Sequence, residues 1–313
     1  MTDRARPLKI GFGLPDAEGL MEGGTARWSD LADMARVAED AGFDSLWVQD
    51  HLLFRLEGQQ QESEGPWESF SLLAALGAVT ERVELGTLVT CTSFRNPALT
   101  AKIADTIDEI SGGRVILGLG AGWHEPEYRA FGFPFDHRVS RFEEALAIIA
   151  GLLREGAIDF EGRYYSARDC ELRPRGPRPR GLPLMLGSTS PRMLGLAARH
   201  ADAWNAYFTR IANRASGVPA VREIVDAACV EAGRDPATLE RTVAAFVDFS
   251  GSADGASSMN PTGAPALTGT VGELAEEMRA FAREGISHVQ VHIEPATPAG
   301  LEQFGRVLEA LDR

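Results

Sequence analysis

One strand-like run ends in glycines, an aromatic ring and an imidazole, and its residues could take part in catalysis or ligand binding. Residues 117–128, LGLGAGWHEPEY, place Trp123 and His124 directly after the alternating glycines Gly120 and Gly122. Glycines permit a tight turn and the close approach of another group to the backbone. An imidazole can act as a general acid, a general base or a hydrogen-bond donor near neutral pH.

A second imidazole, His51, follows Asp50 at the end of another apolar run, SLWVQDH. If this run is a barrel strand, its carboxyl end is where the catalytic residues of such folds gather. A neutral His51 there would serve as an acid, a base or a donor to a bound ring. The alternative is a histidine that only contributes to packing.

The stretch GSTSPR, residues 187–192, has the features of an anion site. Its first four residues are Gly187, Ser188, Thr189 and Ser190. Ser190 can cap a helix that has Pro191 in its first turn, and Arg192 adds a positive charge. Free backbone N–H groups, hydroxyls and the helix dipole together favour a phosphate. An ordinary capped helix is the alternative.

Histidine spacing argues against a metal site. His51, His124 and His292 raise the idea of a metal-dependent hydrolase, but no strand carries an H-x-H pair. The H-x-x-x-H pair of His288 and His292 lies on a predicted strand, where four residues span about 13 Å, too far for one metal ion. A serine hydrolase is disfavoured because G-x-S-x-G is absent from the sequence. We therefore predict no metal ligands.

Charge and composition narrow the function classes further. The net charge of −14 argues against nucleic acid and against an anionic membrane surface as partners, although not against a small anion. The three cysteines, Cys91, Cys170 and Cys229, are far apart, which favours a reducing compartment. No run of about 18 apolar residues and no signal-peptide core is present. We expect a cytoplasmic protein that acts on a small molecule.

Strand-like and helical segments alternate along the chain. The predicted strands are 8–14, 43–49, 82–90, 114–120, 182–187, 202–208, 241–249 and 286–293. The predicted helices are 28–42, 67–80, 96–113, 140–153 with a capping box at Ser140 and Glu143, 190–201, 218–233, one opened by a capping box at Thr270 and Glu273, and 297–312. Eight such pairs predict an α/β fold, the (β/α)8 TIM barrel, as a single domain over residues 1–313. A doubly wound sheet is the alternative, disfavoured because no G-x-G-x-x-G follows the first strand.

Two segments do not fit the alternation. Residues 156–181 contain three prolines and several arginines, so we predict an insertion on the barrel rim without regular structure. Residues 251–270 are rich in Gly, Ser and Pro, which is typical of a rim loop. With residues 55–66, these segments are expected to build the substrate pocket.

Three parts of the sequence, residues 42–51, 85–135 and 182–204, resemble the bacterial luciferase-like superfamily. The resemblance is greatest to its branch of oxidoreductases that depend on the deazaflavin coenzyme F420. Its most specific part is ISGGR-x-x-LGLGAGW followed by E-x-E-x-x-A-F-G, within residues 82–135.

The resemblance implies a flavin or deazaflavin ring in the barrel mouth. It implies a non-proline cis peptide within Leu88–Val89–Thr90 that supports the ring, and a cofactor phosphate at 187–190. The glycines of 118–122 would leave room for the flat ring, with Trp123 as an apolar wall. The residues assigned to cofactor binding are Asp50, Leu88, Val89, Thr90, Gly120, Gly122, Trp123, Gly187, Ser188, Thr189 and Ser190, and those assigned to catalysis are His51 and His124.

The sequence departs from the best-known deazaflavin sugar-phosphate and alcohol dehydrogenases at two positions. Trp123 stands where they carry an acid, and Arg55 stands where they carry a tryptophan. These departures put sugar phosphates and simple alcohols as substrates in doubt, and likewise a proton relay taken over from those enzymes. The anionic tail of F420 is expected to meet an arginine-rich segment before the fifth strand, made of Arg168, Arg173, Arg175, Arg178 and Arg180.

These observations favour hydride transfer between F420 and an unknown small organic substrate. One alternative is an FMN-dependent monooxygenase, which would need a partner flavin reductase. Others are a non-catalytic flavin-binding protein and the disfavoured metal hydrolase. A homodimer is compatible with each, and no first-bound NAD or NADP is expected.

Overall fold

Parallel strands close into a barrel in the computed structural model, which describes residues 6–55, 63–250 and 265–313. The strands are β1 (Lys9–Gly13), β2 (Ser45–Val48), β3 (Glu84–Thr87), β4 (Thr90–Cys91), β5 (Val115–Gly120), β6 (Ala157–Glu161), β7 (Ser166–Glu171), β8 (Leu184–Gly187), β9 (Ala203–Ala206), β10 (Glu240–Asp248) and β11 (His288–Glu294). The helices are α1 (Trp28–Ala41), α2 (Ser69–Val79), α3 (Pro97–Ile110), α4 (Glu125–Phe131), α5 (Arg138–Glu155), α6 (Pro191–His200), α7 (Val218–Glu231), α8 (Val271–Arg283) and α9 (Pro298–Leu311).

The barrel has eight strand positions in the order β3-β2-β1-β11-β10-β9-β8-β5, and β3 pairs back with β5. The predicted (β/α)8 TIM barrel is therefore confirmed. The strands β3 and β4 share one position, separated by the peptide between Leu88 and Val89, which is cis as predicted. Below this break Leu85 pairs with Val115, and above it Cys91 pairs with Gly120. The carboxyl ends of the strands form the mouth of the barrel.

Helix boundaries follow local capping in most places. Asn96 accepts hydrogen bonds from the first turn of α3, and Thr270 and Glu273 form the predicted capping box of α8. The predicted capping box at Ser140 and Glu143 is wrong. The helix α5 begins earlier, after a left-handed turn at 137, so both side chains lie inside it and contact Arg192 of α6 instead. The short helix α4 was not predicted.

Large side chains fill the barrel beside glycines. The Trp47 ring lies so close to Gly11 and Gly86 that an added Cβ at Gly86 would be 2.3 Å from Cζ3 of Trp47. On the outer face, Phe12 packs against Phe43, whose ring stacks on Phe304 of α9 at 5.5 Å. The glycines therefore provide the width that one bulky indole needs inside the barrel.

The insertion at 156–181 contains regular structure, contrary to the prediction. The strands β6 and β7 form an antiparallel hairpin. Its half-buried Ile158 packs on Gly151 of α5, and the Glu144 carboxylate accepts hydrogen bonds from the backbone N–H groups of residues 163–165. The alternating pattern AIDFE was the signal for this strand, but the prolines later in the segment led to a prediction without regular structure.

Two residues of the arginine-rich segment, Arg175 and Arg178, lie at the opposite end of the barrel from the mouth. Arg178 forms an ion pair with buried Asp108 near the end of α3 and donates to the carbonyl of Val115, where β5 begins. Arg175 donates to the carbonyl of Leu153 at the end of α5. The expectation that these arginines border the phosphate site is therefore wrong. A segment that joins a helix to the next parallel strand must lie at the amino ends of the strands.

Two kinds of feature are absent from the part of the chain that the structure describes. None of their helices is both long and apolar enough to cross a bilayer. They include no group of three or more His, Cys, Asp or Glu side chains placed to hold a metal ion. Residues 56–62 of one predicted pocket loop and 251–264 of another lie outside the described residues.

Replacing Gly86 by Ala should lower the free energy of unfolding by about 1–3 kcal/mol, because the new methyl group overlaps the buried Trp47 ring. Gly272→Ala is the matched control, since this exposed α8 position has no neighbouring atom within 4 Å. The control should be neutral or slightly stabilising because alanine favours helix. Urea denaturation measures both variants, and equal values for the two would contradict the packing argument.

Candidate functional site

The Asp50 carboxylate joins four segments at the mouth. Its oxygens accept hydrogen bonds from Ser69 Oγ of α2 at 2.7 Å and from the backbone N–H of Cys91 in β4 at 2.9 Å. Both terminal nitrogens of Arg95 also donate to it, at 2.8 and 2.9 Å. Asp50 is 3% exposed, and these protein donors use both of its oxygens. The geometry therefore favours a role in positioning the mouth over the predicted direct contact with a cofactor.

The next residue, His51, forms a buried pair with a glutamate that sequence analysis did not single out. Nδ1 of His51 lies 2.9 Å from Oε1 of Glu127, and the backbone N–H of Leu52 donates to Oε2 of Glu127 at 2.8 Å. The Glu127 side chain is 1% exposed, whereas that of His51 is 18% exposed. A carboxylate at Nδ1 orients the ring and leaves Nε2 as the nitrogen that can exchange a proton.

His124 has a different environment. Its Nε2 accepts a hydrogen bond from the backbone N–H of Arg55 at 3.1 Å, which requires a neutral ring with its proton on Nδ1. Burial lowers the pKa of His124, in agreement with the neutral form. This contact holds the backbone of Arg55, where the predicted pocket loop 55–66 begins. The structure thus gives His124 a holding function, and its predicted catalytic role stays a prediction.

Aromatic rings surround both histidines. The His51 ring centroid is 4.5 Å from that of Phe54 and 5.7 Å from that of Trp123. Trp123 also contacts His124, at 5.1 Å, and 60% of its surface is exposed. The structure therefore brings His51, Trp123 and His124 together in one cluster.

Protein atoms closely approach the glycines of the turn, and the predicted contact of Gly120 and Gly122 with a cofactor ring stays a prediction. A Cβ at Gly122 would lie 1.9 Å from the Tyr128 hydroxyl, and Gly122 has a left-handed φ of 73°. A Cβ at Gly120 would lie 2.7 Å from Cγ2 of Val89. The Tyr128 hydroxyl donates to the carbonyl of Ala121 and lies 3.0 Å from Sγ of Cys91. These close approaches explain why the strand ends in alternating glycines.

A buried carboxyl group, Asp16, lies beside the end of β2 and was also missed by sequence analysis. The backbone N–H and the side-chain amide of Gln49 donate to its two oxygens at 2.9 and 2.8 Å. Asp16 is 1% exposed, and burial raises its pKa to about 7. The sequence signal was weak, because PD after a short strand is typical of a turn.

The stretch 187–190 lies at the mouth end of β8 and leads into α6. Ser188 Oγ accepts from the backbone N–H of Ser190 at 3.2 Å, and the Ser188 carbonyl accepts from Nε1 of Trp204 at 2.7 Å. No side chain caps the first turn of α6. The prediction that Ser190 caps this helix is therefore wrong. Arg192 is engaged by Glu143 and Ser140. The predicted phosphate contact of Gly187, Ser188, Thr189 and Ser190 stays a prediction.

The buried Asp16 carboxyl predicts a pH-dependent stability. Because the folded pKa lies above the unfolded value near 3.8, the native state holds a proton between about pH 4 and pH 7 that the unfolded state has lost. The stabilisation relative to Asp16→Asn should therefore fall as the pH rises through this window, with a limiting slope of about 1.4 kcal/mol per pH unit. Urea denaturation of both proteins at several pH values measures it. A constant difference between them would contradict a raised pKa.

Comparisons with known proteins agree with this architecture. The chain is 35% identical over 178 residues to an F420-dependent glucose-6-phosphate dehydrogenase from Amycolatopsis mediterranei, covering 55% of this chain and 51% of that protein. It is 36% identical over 174 residues to the pyrimidine monooxygenase RutA from Cronobacter sakazakii, covering 54% and 50%. The alignments thus span about half the length of these relatives.

A solved structure and a family model extend the likeness along the chain. An F420-dependent secondary alcohol dehydrogenase, in complex with an F420-acetone adduct, superposes with a TM-score of 0.78 at 20% identity, covering 97% of this chain and 99% of that one. At this identity the superposition supports the fold alone. The family model described as luciferase-like monooxygenase matches residues 8–260. The chain therefore belongs to the luciferase-like monooxygenase family.

Proposed function

We propose that this protein is an F420-dependent oxidoreductase that transfers a hydride between the coenzyme and a small organic substrate at the barrel mouth. The observation that carries the proposal is the His51–Glu127 pair, with Nδ1 of the imidazole 2.9 Å from a buried carboxylate oxygen. Hydride transfer to a carbonyl or an activated alkene must be completed by a proton, and a paired imidazole is a suitable carrier.

The residues at the end of β8 fit the phosphate of such a coenzyme. The first turn of α6 has no side-chain cap, and the residues before it supply three hydroxyls, those of Ser188, Thr189 and Ser190. Helix N–H groups and hydroxyls suit a phosphate without a basic side chain. When bound, the deazaflavin supplies two-electron chemistry, as a hydride donor or acceptor.

The protein's own residues would then control the proton. In the neutral ring, Nδ1–H of His51 donates to Glu127, which leaves Nε2 to accept a proton or, once protonated, to deliver one. The Leu52 N–H holds the other Glu127 oxygen, so the carboxylate has little freedom to turn away. Trp123 and Phe54 pack against the His51 ring and restrict its rotation.

The relationship to a pyrimidine monooxygenase supports a second candidate, an FMN-dependent monooxygenase supplied with reduced flavin by a reductase. The two candidates differ in cofactor affinity and in their need for oxygen. Under the leading proposal, no partner reductase is required.

Cofactor titration tests the phosphate site and separates the candidates. F420 should bind more tightly than FMN, and Ser188→Asp should weaken F420 binding by about tenfold or more, because it places a negative charge beside the phosphate. Ser29→Asp is the matched control, since it makes the same change in the first turn of α1. Calorimetry gives each dissociation constant. Tighter binding of FMN would favour the second candidate, and equal effects of the two substitutions would place the phosphate elsewhere.

Turnover tests the proton carrier. Ketones, aldehydes and activated alkenes are screened for oxidation of reduced F420, followed by the return of the oxidised coenzyme's absorption. With the best substrate, His51→Ala should lower kcat by about 10²-fold or more while the dissociation constant of F420 changes little.

Two glutamates of the same helix, Glu127 and Glu125, provide a second test and its control. Glu127→Gln should lower kcat by about tenfold or more, because a carboxamide no longer orients the imidazole as the carboxylate does. Glu125→Gln should leave kcat unchanged, since Glu125 is exposed and pairs with Arg129 on the surface of α4. Unchanged kcat in both His51→Ala and Glu127→Gln would contradict the assigned role.

A further inference from the structure

One histidine inside the barrel is left without a partner by the rest of the fold. Both ring nitrogens of His292 are buried, and no group among the described residues forms a hydrogen bond with either. Deeper on the same face of β11, His288 lies 2.7 Å from Ser45 Oγ, and Gln290 Oε1 accepts from Asn205 Nδ2 at 2.8 Å. Nε2 of Gln290 has no partner among the described residues, but its amide keeps this one hydrogen bond. A buried imidazole without partners is costly, so such a group needs another explanation, and a ligand supplies one.

The position of His292 is at the top of the barrel interior, below the mouth. Its Nδ1 would lie 2.5 Å from a Cβ added to Gly13, the last residue of β1. Burial lowers the pKa of His292 to about 4, so the ring is neutral near pH 7. A neutral imidazole offers one acceptor nitrogen and one donor, and it brings no positive charge to balance an anion.

Two carboxylates, those of Glu294 and Asp248, lie closer to the mouth than His292 along β11 and β10. Glu294 follows two residues later on the same face of β11, about 7 Å further along the strand. Asp248 of β10 is its partner in the strand register. Burial and the charges of Asp248 and Glu22 raise the pKa of Glu294. Among the described residues, no cation and no hydrogen-bond donor contacts the Glu294 side chain, whereas Asp248 accepts from Ser250.

Aromatic rings flank the same place. The Tyr207 and Phe208 rings lie edge-on to His292 at 6.2 and 6.4 Å between centroids. Phe246, the register partner of His292, packs against Phe208 at 6.0 Å. Carboxylates beside aromatic rings favour a cation, because both interact with positive charge.

We propose that the mouth ends of β10 and β11 form a subsite for a protonated amine of the substrate, which Glu294 and Asp248 neutralise and to which His292 hydrogen-bonds. This inference rests on the proposed function and deepens it by assigning the substrate class, a small organic cation with an apolar part. Phosphorylated and carboxylated substrates are disfavoured, because two carboxylates would repel them. The subsite is separate from the phosphate site at the end of β8.

Equilibrium binding of three matched probes tests the subsite without turnover. Benzylammonium, benzyl alcohol and benzoate are titrated by calorimetry into the protein at pH 8, with and without F420. Benzylammonium should bind at least about tenfold more tightly than benzyl alcohol, and benzoate should bind most weakly. Added salt should weaken the binding of benzylammonium alone. Equal affinities for the amine and the alcohol in the unsubstituted protein would overturn the proposal.

Substitutions locate the binding. Glu294→Gln should weaken benzylammonium binding about fivefold or more and leave benzyl alcohol nearly unaffected, whereas the exposed α9 control Glu302→Gln should change neither. His292→Phe keeps a ring but removes both nitrogens, so it should weaken both probes. Equal effects of Glu294→Gln and Glu302→Gln would overturn the proposal. Amine binding by a protein that does not bind F420 would support the subsite and contradict the proposed function.

Discussion

The arrangement of the mouth depends on one buried carboxylate. Asp50 accepts hydrogen bonds from α2, from β4 and from Arg95, which itself also contacts Glu68 at the start of α2. Removing one partner from such a buried pair typically costs about 3–5 kcal/mol, because the remaining charge is left uncompensated. Since His51 follows Asp50 directly, the hydrogen bonds that hold these segments together also fix the backbone position of His51.

Close backbone approach is the second constraint. Three large groups use space that glycines leave: the Trp47 ring inside the barrel, the Val89 side chain above β5 and the Tyr128 hydroxyl beneath the mouth turn. A side chain at any of these glycines would move a bulky group or the turn that carries Trp123. The mouth is thus shaped by packing within the protein, and a ligand would meet a surface that is already formed.

The electrostatics of the mouth differ from side to side. The end of β8 offers helix N–H groups and hydroxyls without a free basic side chain, since Arg192 is paired with Glu143. Two and three strand positions away, β10 and β11 end in Asp248 and Glu294. The neutral imidazole of His292 lies below these two carboxylates and adds no positive charge that would compete with a bound cation. This division suits two ligands bound together, a cofactor with an anionic group and a substrate with a cationic group.

The sequence by itself determined the alternation of eight strands with helices, the caps of α3 and α8, and, through family resemblance, the position of the cis peptide. These features depend on residues close together in the chain, so local patterns suffice to predict them. Only the tertiary structure decided that Glu127 pairs with His51, since the two lie 76 residues apart. It also decided that Arg178 lies at the amino ends of the strands. Strand register and helix packing bring such distant residues together, and no local pattern encodes them.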